Sequence, residues 1–150
     1  MMKVGSCVSI NVFSRMIASL VWIEMFGGKP VKKVLIVDDA AFVRFAMKNM
    51  LEKNGYEVVG EAPDGSSAIL QYKKLRPDFV TMDITMPGMN GIETLKEIKK
   101  FDPNAVIVMV SAMGHENFVK EAVLNGAVYF LVKPIKEENL VEVLSKIIEP

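Results

Sequence analysis

Cysteine and histidine are almost absent from this chain, and their scarcity excludes several kinds of site. Cys7 is the only cysteine, so there is no internal disulfide and no zinc site built from several cysteines. His115 is the only histidine, which excludes a histidine-rich zinc site and allows a Ser-His-Asp triad only with His115 as its base. With so few cysteines and no clear export signal, we expect a reducing, cytoplasmic setting.

An excess of either charge is also absent. The chain has 18 positive and 18 negative residues among its 150. This balance gives no sign of a nucleic-acid-binding face or a polybasic membrane patch, so we expect no nucleic acid among the partners. A chain of this length predicts one domain with a substantial core, and we expect a monomer.

Charged residues are scarce in the first 26 positions, which hold only Lys3, Arg15 and Glu24 before a Gly-Gly-Lys-Pro linker. The apolar residues there recur at helical spacing, but Arg15 and Glu24 make the segment too short for a membrane span. Three interpretations stay open: an amphipathic anchor or docking helix, a signal sequence, or a translation start assigned too far upstream. We favour the last, because a complete domain, residues 31–150, follows an extension of residues 1–30.

Strand and helix patterns alternate after Val31. Apolar runs bounded by turn residues predict the strands Val34–Val37, Tyr56–Val59, Phe79–Met82, Val106–Val110 and Val128–Val132. Helical spacing predicts helices at Ala41–Asn54 and Ser66–Leu75 and around Ile92, Phe118 and Leu140. Five consecutive strand–helix units imply an α/β fold, a doubly wound parallel sheet with helices on both faces and the strand order 2-1-3-4-5.

Apolar residues at helical spacing also predict which sides of two helices are apolar. The expected core residues of the first helix are Phe42, Phe45, Ala46 and Leu51. The residues expected to share one face of the fourth helix are Phe118, Val119, Ala122 and Val123.

Reactive side chains follow four of the predicted strands. Asp38 and Asp39 follow the first strand and Asp83 the third, while Ser111 follows the fourth and Lys133 the fifth. In this strand order the topological switch point lies between strands one and three, and ligands bind there outside the carboxyl ends of the strands. We therefore expect the three acids to converge in one pocket.

Each of these residues also has a structural interpretation. Asp38 or Asp39 would cap the first helix, and Ser111 would cap the helix that follows it. Asp83 and Lys133 would be solvated residues at strand exits. The coincidence of all of them at the ends of four strands favours a functional site.

Three carboxylates in one pocket repel one another. Two unit charges about 5 Å apart, at an effective dielectric constant of about 20, interact by about 3 kcal/mol, so a carboxylate takes up a proton or a cation binds. An all-oxygen site with few protein ligands suits Mg²⁺ better than Ca²⁺. A divalent cation, a lysine and a hydroxyl suit a phosphoryl group, with Asp83 as the nucleophile that forms an aspartyl phosphate.

Residues 31–150 resemble the receiver domain of two-component response regulators, which has the flavodoxin-like (CheY-like) fold. The matching motifs are Val37-Asp38-Asp39, Met82-Asp83-Ile84, Met86-Pro87-Gly88-Met89-Asn90-Gly91, Val110-Ser111-Ala112 and Val132-Lys133-Pro134. The resemblance implies that a partner histidine kinase phosphorylates Asp83. It also implies that Asp38, Asp39, Asp83 and the backbone carbonyl of Thr85 hold Mg²⁺.

The resemblance also assigns roles around the phosphoryl group. Ser111 and Lys133 would contact its oxygens. Phe130 falls at the family's switch aromatic, where many members carry tyrosine, so Ser111 and Phe130 would form the switch. Thr85 and Met113 would flank the path of the water that removes the phosphoryl group, and since neither carries a carboxylate or carboxamide, we expect slow self-dephosphorylation.

Single-domain chemotaxis regulators of the CheY type are similar at residues 38–42 and 83–87 in particular. They imply a chemotaxis kinase upstream, the flagellar motor switch protein downstream, and a protein that acts by binding rather than as an enzyme. The alternative is a phosphorelay intermediate that passes its phosphoryl group to a histidine-phosphotransfer protein. An aspartyl-phosphate phosphatase is disfavoured because Thr85 stands where such enzymes carry a second acid. A flavin-binding flavodoxin is disfavoured because no phosphate loop rich in serine, threonine and glycine follows the first strand.

Overall fold

The computed structural model describes Ile17, residues 30–112 and residues 115–148. Contacts within the chain group residues 32–150 as one unit. The extension predicted for residues 1–30 lies almost entirely outside the described residues, so its three interpretations stay predictions. In the part of the chain that is described, no helix combines the length and the apolar character needed to span a membrane.

Five strands alternate with five helices in the described part of residues 32–150. The strands are β1 (Lys33–Val37), β2 (Glu57–Ala62), β3 (Phe79–Asp83), β4 (Ile107–Ala112) and β5 (Tyr129–Lys133). The helices are α1 (Ala41–Lys53), α2 (Gly65–Leu75), α3 (Gly91–Phe101), α4 (Glu116–Leu124) and α5 (Glu137–Ile148). All neighbouring strands are parallel and the order is β2-β1-β3-β4-β5, so the predicted fold is confirmed.

Two core layers lie on opposite faces of the sheet. One layer packs the sheet against α2, α3 and α4, through residues such as Ala68, Leu95 and Ala122. The other packs it against α1 and α5, through residues such as Leu51 and Leu140. Because both faces are covered, the inner strands β1, β3 and β4 are largely apolar, and every residue of the central strand β3 is buried.

Strand β2 runs three residues further than its pattern predicts, to Ala62. The apolar pattern ends at Val59, because Gly60 and Glu61 follow it. In the structure the register with β1 shifts between Val34 and Leu35, and Leu35 then pairs with Gly60. A Cβ on Gly60 would meet the Oε1 atom of Gln71 in α2, so the missing side chain lets α2 approach the strand.

The prediction for the buried side of α1 is wrong in part. Phe42 and Phe45 are 80% and 65% exposed, whereas Met47 and Leu51 are buried. Leu51 is nine residues from Phe42, about two and a half helical turns, so the two side chains point in opposite directions. Apolar residues occupy both sides of this helix, and the spacing alone does not say which side meets the sheet.

The predicted apolar face of α4 is also mostly at the surface. Ala122 is fully buried, but Phe118 is 37% and Val123 is 53% exposed. Ala122 is small and lies in the core layer. Val123 is one residue, or about 100°, further around the helix and therefore leaves that layer. The result is an apolar strip on the outside of α4.

The two sides of α1 predict different costs of truncation. We expect Leu51→Ala to lower the free energy of unfolding by about 2–5 kcal/mol, because it opens a cavity in a packed core. Phe45→Ala removes a larger side chain but should change it by no more than about 0.5 kcal/mol, since that ring is mostly solvated. Urea denaturation of the two variants checks this, and an equal cost would contradict the assignment of the buried side.

Candidate functional site

The two acids that follow β1 lie in different environments. Asp38 is only 3% exposed, and its backbone N–H donates to the carbonyl of Ala62 at 3.1 Å. Its Oδ1 accepts a hydrogen bond from the N–H of Ala40 at 2.9 Å. Asp39 is exposed. The N-cap of α1 is Ala40, with no side-chain capping bond, so the interpretation of either acid as the helix cap is wrong.

Asp83 ends β3 and faces the same pocket. It is 3% exposed, and one carboxylate oxygen from each of Asp38, Asp39 and Asp83 lies within 4.8 Å of the others. Burial and then the charge of Asp38 raise the pKa of Asp83 to about 6, although Lys133 and the N–H of Thr85 favour the ionised form. The three acids therefore lie together, as the topology predicts, and Asp83 is not a solvated residue at a strand exit.

The spacing of these oxygens fits a small divalent cation. Mg²⁺ takes oxygen ligands at about 2.0–2.1 Å, so that ligands on opposite sides of the ion are about 4.2 Å apart. Oxygens within 4.8 Å of one another are therefore close enough for their side chains to bind one such ion together. Burial and then the charge of Asp38 raise the pKa of Asp83, and a cation in the pocket would favour its ionised form.

Lys133 is the last residue of β5 and the cation nearest to the acids. Its Nζ donates to Oδ2 of Asp38 at 2.8 Å and lies 3.5 Å from Oδ2 of Asp83. Burial disfavours the charged amine, but the hydrogen bond to Asp38 and the charges of both acids outweigh it, so the pKa of Lys133 is raised. An ordinary solvated lysine would not be held this way, and that interpretation is wrong.

Ser111 reaches the same edge of the sheet through the register of the strands. Asp83 pairs with Val110, Ser111 pairs with Val132, and the next residue along pairs with Lys133. Ser111 is 3% exposed. His115, not Ser111, is the N-cap of α4, so the capping interpretation of Ser111 is wrong. Asp83, Ser111 and Lys133 therefore lie at or next to the ends of the three adjacent strands β3, β4 and β5.

The predicted switch and tuning residues differ in burial, and one of them lies outside the described residues. Phe130 is half-buried, pairs with Met109 in the sheet and packs against the core layer of α2, α3 and α4. Thr85 is exposed. Met113 lies outside the described residues. The switch role of Ser111 and Phe130 and the tuning role of Thr85 and Met113 stay predictions.

Arg44 is a residue of the site that sequence reasoning missed. Its Nη1 donates to the backbone carbonyl of Asp38 at 2.7 Å, and its Nε lies 3.3 Å from Oε1 of Glu61. The sequence shows only that a cation lies one helical turn beyond the acids. The identity of its partners depends on the pairing of β1 with β2, which brings Glu61 alongside.

Comparisons with known proteins identify the family of this chain. Residues 34–145 match the family model of the response regulator receiver domain. A chemotaxis protein CheY of Thermotoga maritima is 56% identical over 116 residues, which cover 77% of this chain and 97% of that protein. The chemotaxis protein CheY of Bacillus subtilis is 52% identical over 114 residues, covering 76% of this chain and 95% of that protein.

A solved structure shares the fold. The crystal structure of a CheX-CheY-BeF3-Mg complex from Borrelia burgdorferi matches with a TM-score of 0.76 and 36% identity, covering 84% of this chain and 95% of that chain. The family match includes the four strand ends at which Asp38, Asp83, Ser111 and Lys133 lie. This chain therefore belongs to the receiver-domain family of two-component response regulators.

Proposed function

We propose that this chain is a single-domain response regulator of chemotaxis that accepts a phosphoryl group on Asp83 from a histidine kinase. One observation carries the proposal: Asp83 lies among two further acids and Lys133 at the switch point of the sheet. Its identity with chemotaxis CheY proteins, over nearly their whole length, supports the choice of pathway. Its chemistry would then be self-phosphorylation and self-dephosphorylation, which switch its binding to a partner.

The proposed step is a phosphoryl transfer to a carboxylate. An oxygen of ionised Asp83 attacks the phosphorus of a phosphohistidine, a P–O bond forms, and the P–N bond breaks. The imidazole leaves with the electron pair of that bond and takes a proton from solvent. The reaction needs the charged form of Asp83, which its raised pKa disfavours in the absence of a cation.

The chain's own residues prepare the site for this step. Asp38, Asp39, Asp83 and the backbone carbonyl of Thr85 would hold Mg²⁺, whose charge would offset that of the carboxylates and the phosphoryl oxygens. Lys133 would exchange its bond to Asp38 for one to a phosphoryl oxygen, since its amine already lies 3.5 Å from Asp83.

Signalling would follow from the new charge on Asp83. A phosphoryl group adds strong hydrogen-bond acceptors, and the Ser111 hydroxyl would reach them by moving inward with the start of the loop before α4. That movement would free space in which Phe130 rotates. Two packings of one aromatic residue would then change the surface formed by α4, β5 and α5, where Val123 and Val132 are 53% and 50% exposed.

The proposed partners are a chemotaxis kinase and the flagellar motor switch protein. The Borrelia burgdorferi relative was crystallised with CheX, so another class of partner is known for a similar protein. A phosphorelay intermediate remains the alternative function. Capture with the fluoroberyllate-loaded chain separates the two: motor switch protein supports chemotaxis, and a histidine-phosphotransfer protein supports the relay.

Asp83→Asn tests the nucleophile. We expect this variant to fold but to gain no phosphoryl group from acetyl phosphate and Mg²⁺, because the amide is nearly isosteric and is not a nucleophile. Mass spectrometry of the intact chain measures the product. Asp78→Asn, just before the other end of β3, is the control and should be phosphorylated as the wild type is. Full phosphorylation of Asp83→Asn would contradict the assignment of Asp83 as the nucleophile.

The raised pKa of Asp83 predicts a pH dependence of stability without metal. Its pKa is about 6 in the folded chain against an ordinary 3.8, so the folded chain keeps a proton that the unfolded chain has lost. The stabilising contribution of Asp83 is therefore complete below about pH 4 and is lost as the pH rises through about 6.

Urea denaturation in a chelator checks this. We expect the free energy of unfolding of wild type, relative to Asp83→Asn, to fall between about pH 4 and about pH 6 and to level off above. Saturating Mg²⁺ should flatten the fall, because a cation favours the carboxylate. Parallel curves for the two proteins would show that Asp83 titrates normally.

Ser111→Ala and Phe130→Ala test the route of the signal. We expect both variants to bind fluoroberyllate at Asp83 but to lose most of its enhancement of target affinity, because each breaks one link of the switch. The affinity for the target is measured with and without fluoroberyllate. Phe45→Ala, on the exposed side of α1, serves as a control for loss of an aromatic side chain. Full enhancement in Ser111→Ala would mean that the signal leaves the site by another route.

A further inference from the structure

Arg44 connects the acidic pocket to a strand that carries none of the site residues. It lies in the first turns of α1, where its own N–H bonds the carbonyl of Ala40 at 3.1 Å. The guanidinium lies back over the end of β1, and its Nη1 donates to the carbonyl of Asp38 at 2.7 Å. Its Nε faces Glu61 in β2 at 3.3 Å, and the side chain is only 18% exposed.

The backbone of Glu61 is held by the sheet and by α2. It pairs with Ile36 in the ladder between β1 and β2. Its carbonyl also accepts a hydrogen bond from the side-chain amide of Gln71 in α2 at 2.7 Å. The strand and the helix therefore hold the backbone of Glu61 in place, and its partly exposed carboxylate forms an ion pair with Arg44 at 3.3 Å, in which Nε donates no hydrogen bond.

The carbonyl that Arg44 holds belongs to the peptide that joins the two acids. Because a peptide unit is planar, fixing the carbonyl oxygen of Asp38 also fixes the N–H of Asp39 and the direction in which its Cα leaves. Within the described residues, the Asp38 carboxylate has bonds to Ala40 and Lys133, whereas no hydrogen bond or ion pair holds that of Asp39. The position of Asp39 therefore depends on its backbone.

We propose that Arg44 is a positioning residue for the divalent cation, which it serves by fixing the peptide between Asp38 and Asp39. The inference rests on the proposed function, since it assumes that the acids hold Mg²⁺. Arginine suits the task because its planar fork makes contacts in two directions at once. One branch meets the carbonyl of Asp38 while another faces Glu61.

If Arg44 acted only through its charge, replacing it with an uncharged residue would tighten Mg²⁺ binding rather than weaken it. A cation close to the acids repels Mg²⁺, so removing it should tighten binding if charge is all that Arg44 contributes. If Arg44 fixes the peptide, removing the fork should weaken binding, and restoring the charge with lysine should not repair it. The direction of the change therefore separates positioning from electrostatics.

The experiment measures Mg²⁺ affinity of the full chain by isothermal titration calorimetry for wild type, Arg44→Lys and Arg44→Gln. We expect both variants to bind Mg²⁺ about tenfold more weakly, the low end of what loss of a ligand-orienting contact costs. Arg76→Lys and Arg76→Gln are the matched controls, because Arg76 lies over the ring of Phe101, away from the acids. Their affinities should stay within about twofold of wild type.

A second measurement separates positioning from general damage to the fold. Phosphorylation from acetyl phosphate is followed as Mg²⁺ is raised. We expect Arg44→Lys to need about tenfold more Mg²⁺ for half-maximal rate but to reach the wild-type rate at saturation. Arg44→Lys keeps the charge and the alkyl stem, so it decides the matter if Arg44→Gln does not fold.

Three results would overturn the inference while leaving the proposed function intact. They are tighter binding by Arg44→Gln, unchanged affinity in Arg44→Lys, and a maximal rate in Arg44→Lys that saturating Mg²⁺ does not restore. A wild-type chain that binds no Mg²⁺ would instead overturn the proposed function, and the inference with it.

Discussion

The concentration of negative charge at one edge of the sheet is the constraint on which the site depends. Asp38 and Asp83 are both almost fully buried, and Lys133 is the cation that bonds one and approaches the other. Burial and then the charge of Asp38 raise the pKa of Asp83, although Lys133 favours its ionised form. The rest of the fold opposes the repulsion between these acids, because hydrogen bonds and packing hold them close together.

The fold could be predicted from the sequence because its strands are simple patterns. A strand covered on both faces by helices is largely apolar, so Val34–Val37 and Phe79–Met82 are recognisable as buried parallel strands. The same reasoning makes a charged or hydroxyl group at a strand end conspicuous. Asp83, Ser111 and Lys133 are identifiable from the sequence because none of them is needed to complete a strand.

Features that depend on the packing of one element against another could not be predicted. Phe42 and Phe45 are as apolar as Met47 and Leu51, and only the contact of α1 with the sheet decides which pair is buried. Gly60 weakens a strand by propensity, yet β2 continues through it by pairing with Leu35 of β1, and side chains of α2 occupy the space beside it. The partners of Arg44 depend on the register between β1 and β2, which the spacing of charges along the chain does not contain.

The burial of β3 has a consequence for the timescales on which this molecule works. The strand pairs on one side with β1 and on the other with β4, and both helix layers shield it. Amide groups in such a central strand exchange with solvent only through the rarest and largest openings of a domain, whereas ladder ends open more readily. Asp83 is the last residue of β3 and Ser111 stands one residue before the end of β4, so both lie where this slowly opening ladder meets its more readily opening end. The strand that carries Asp83 therefore persists through local motions of microseconds to milliseconds, while those faster motions remain possible at the edge of the sheet where Asp83, Ser111 and Lys133 lie.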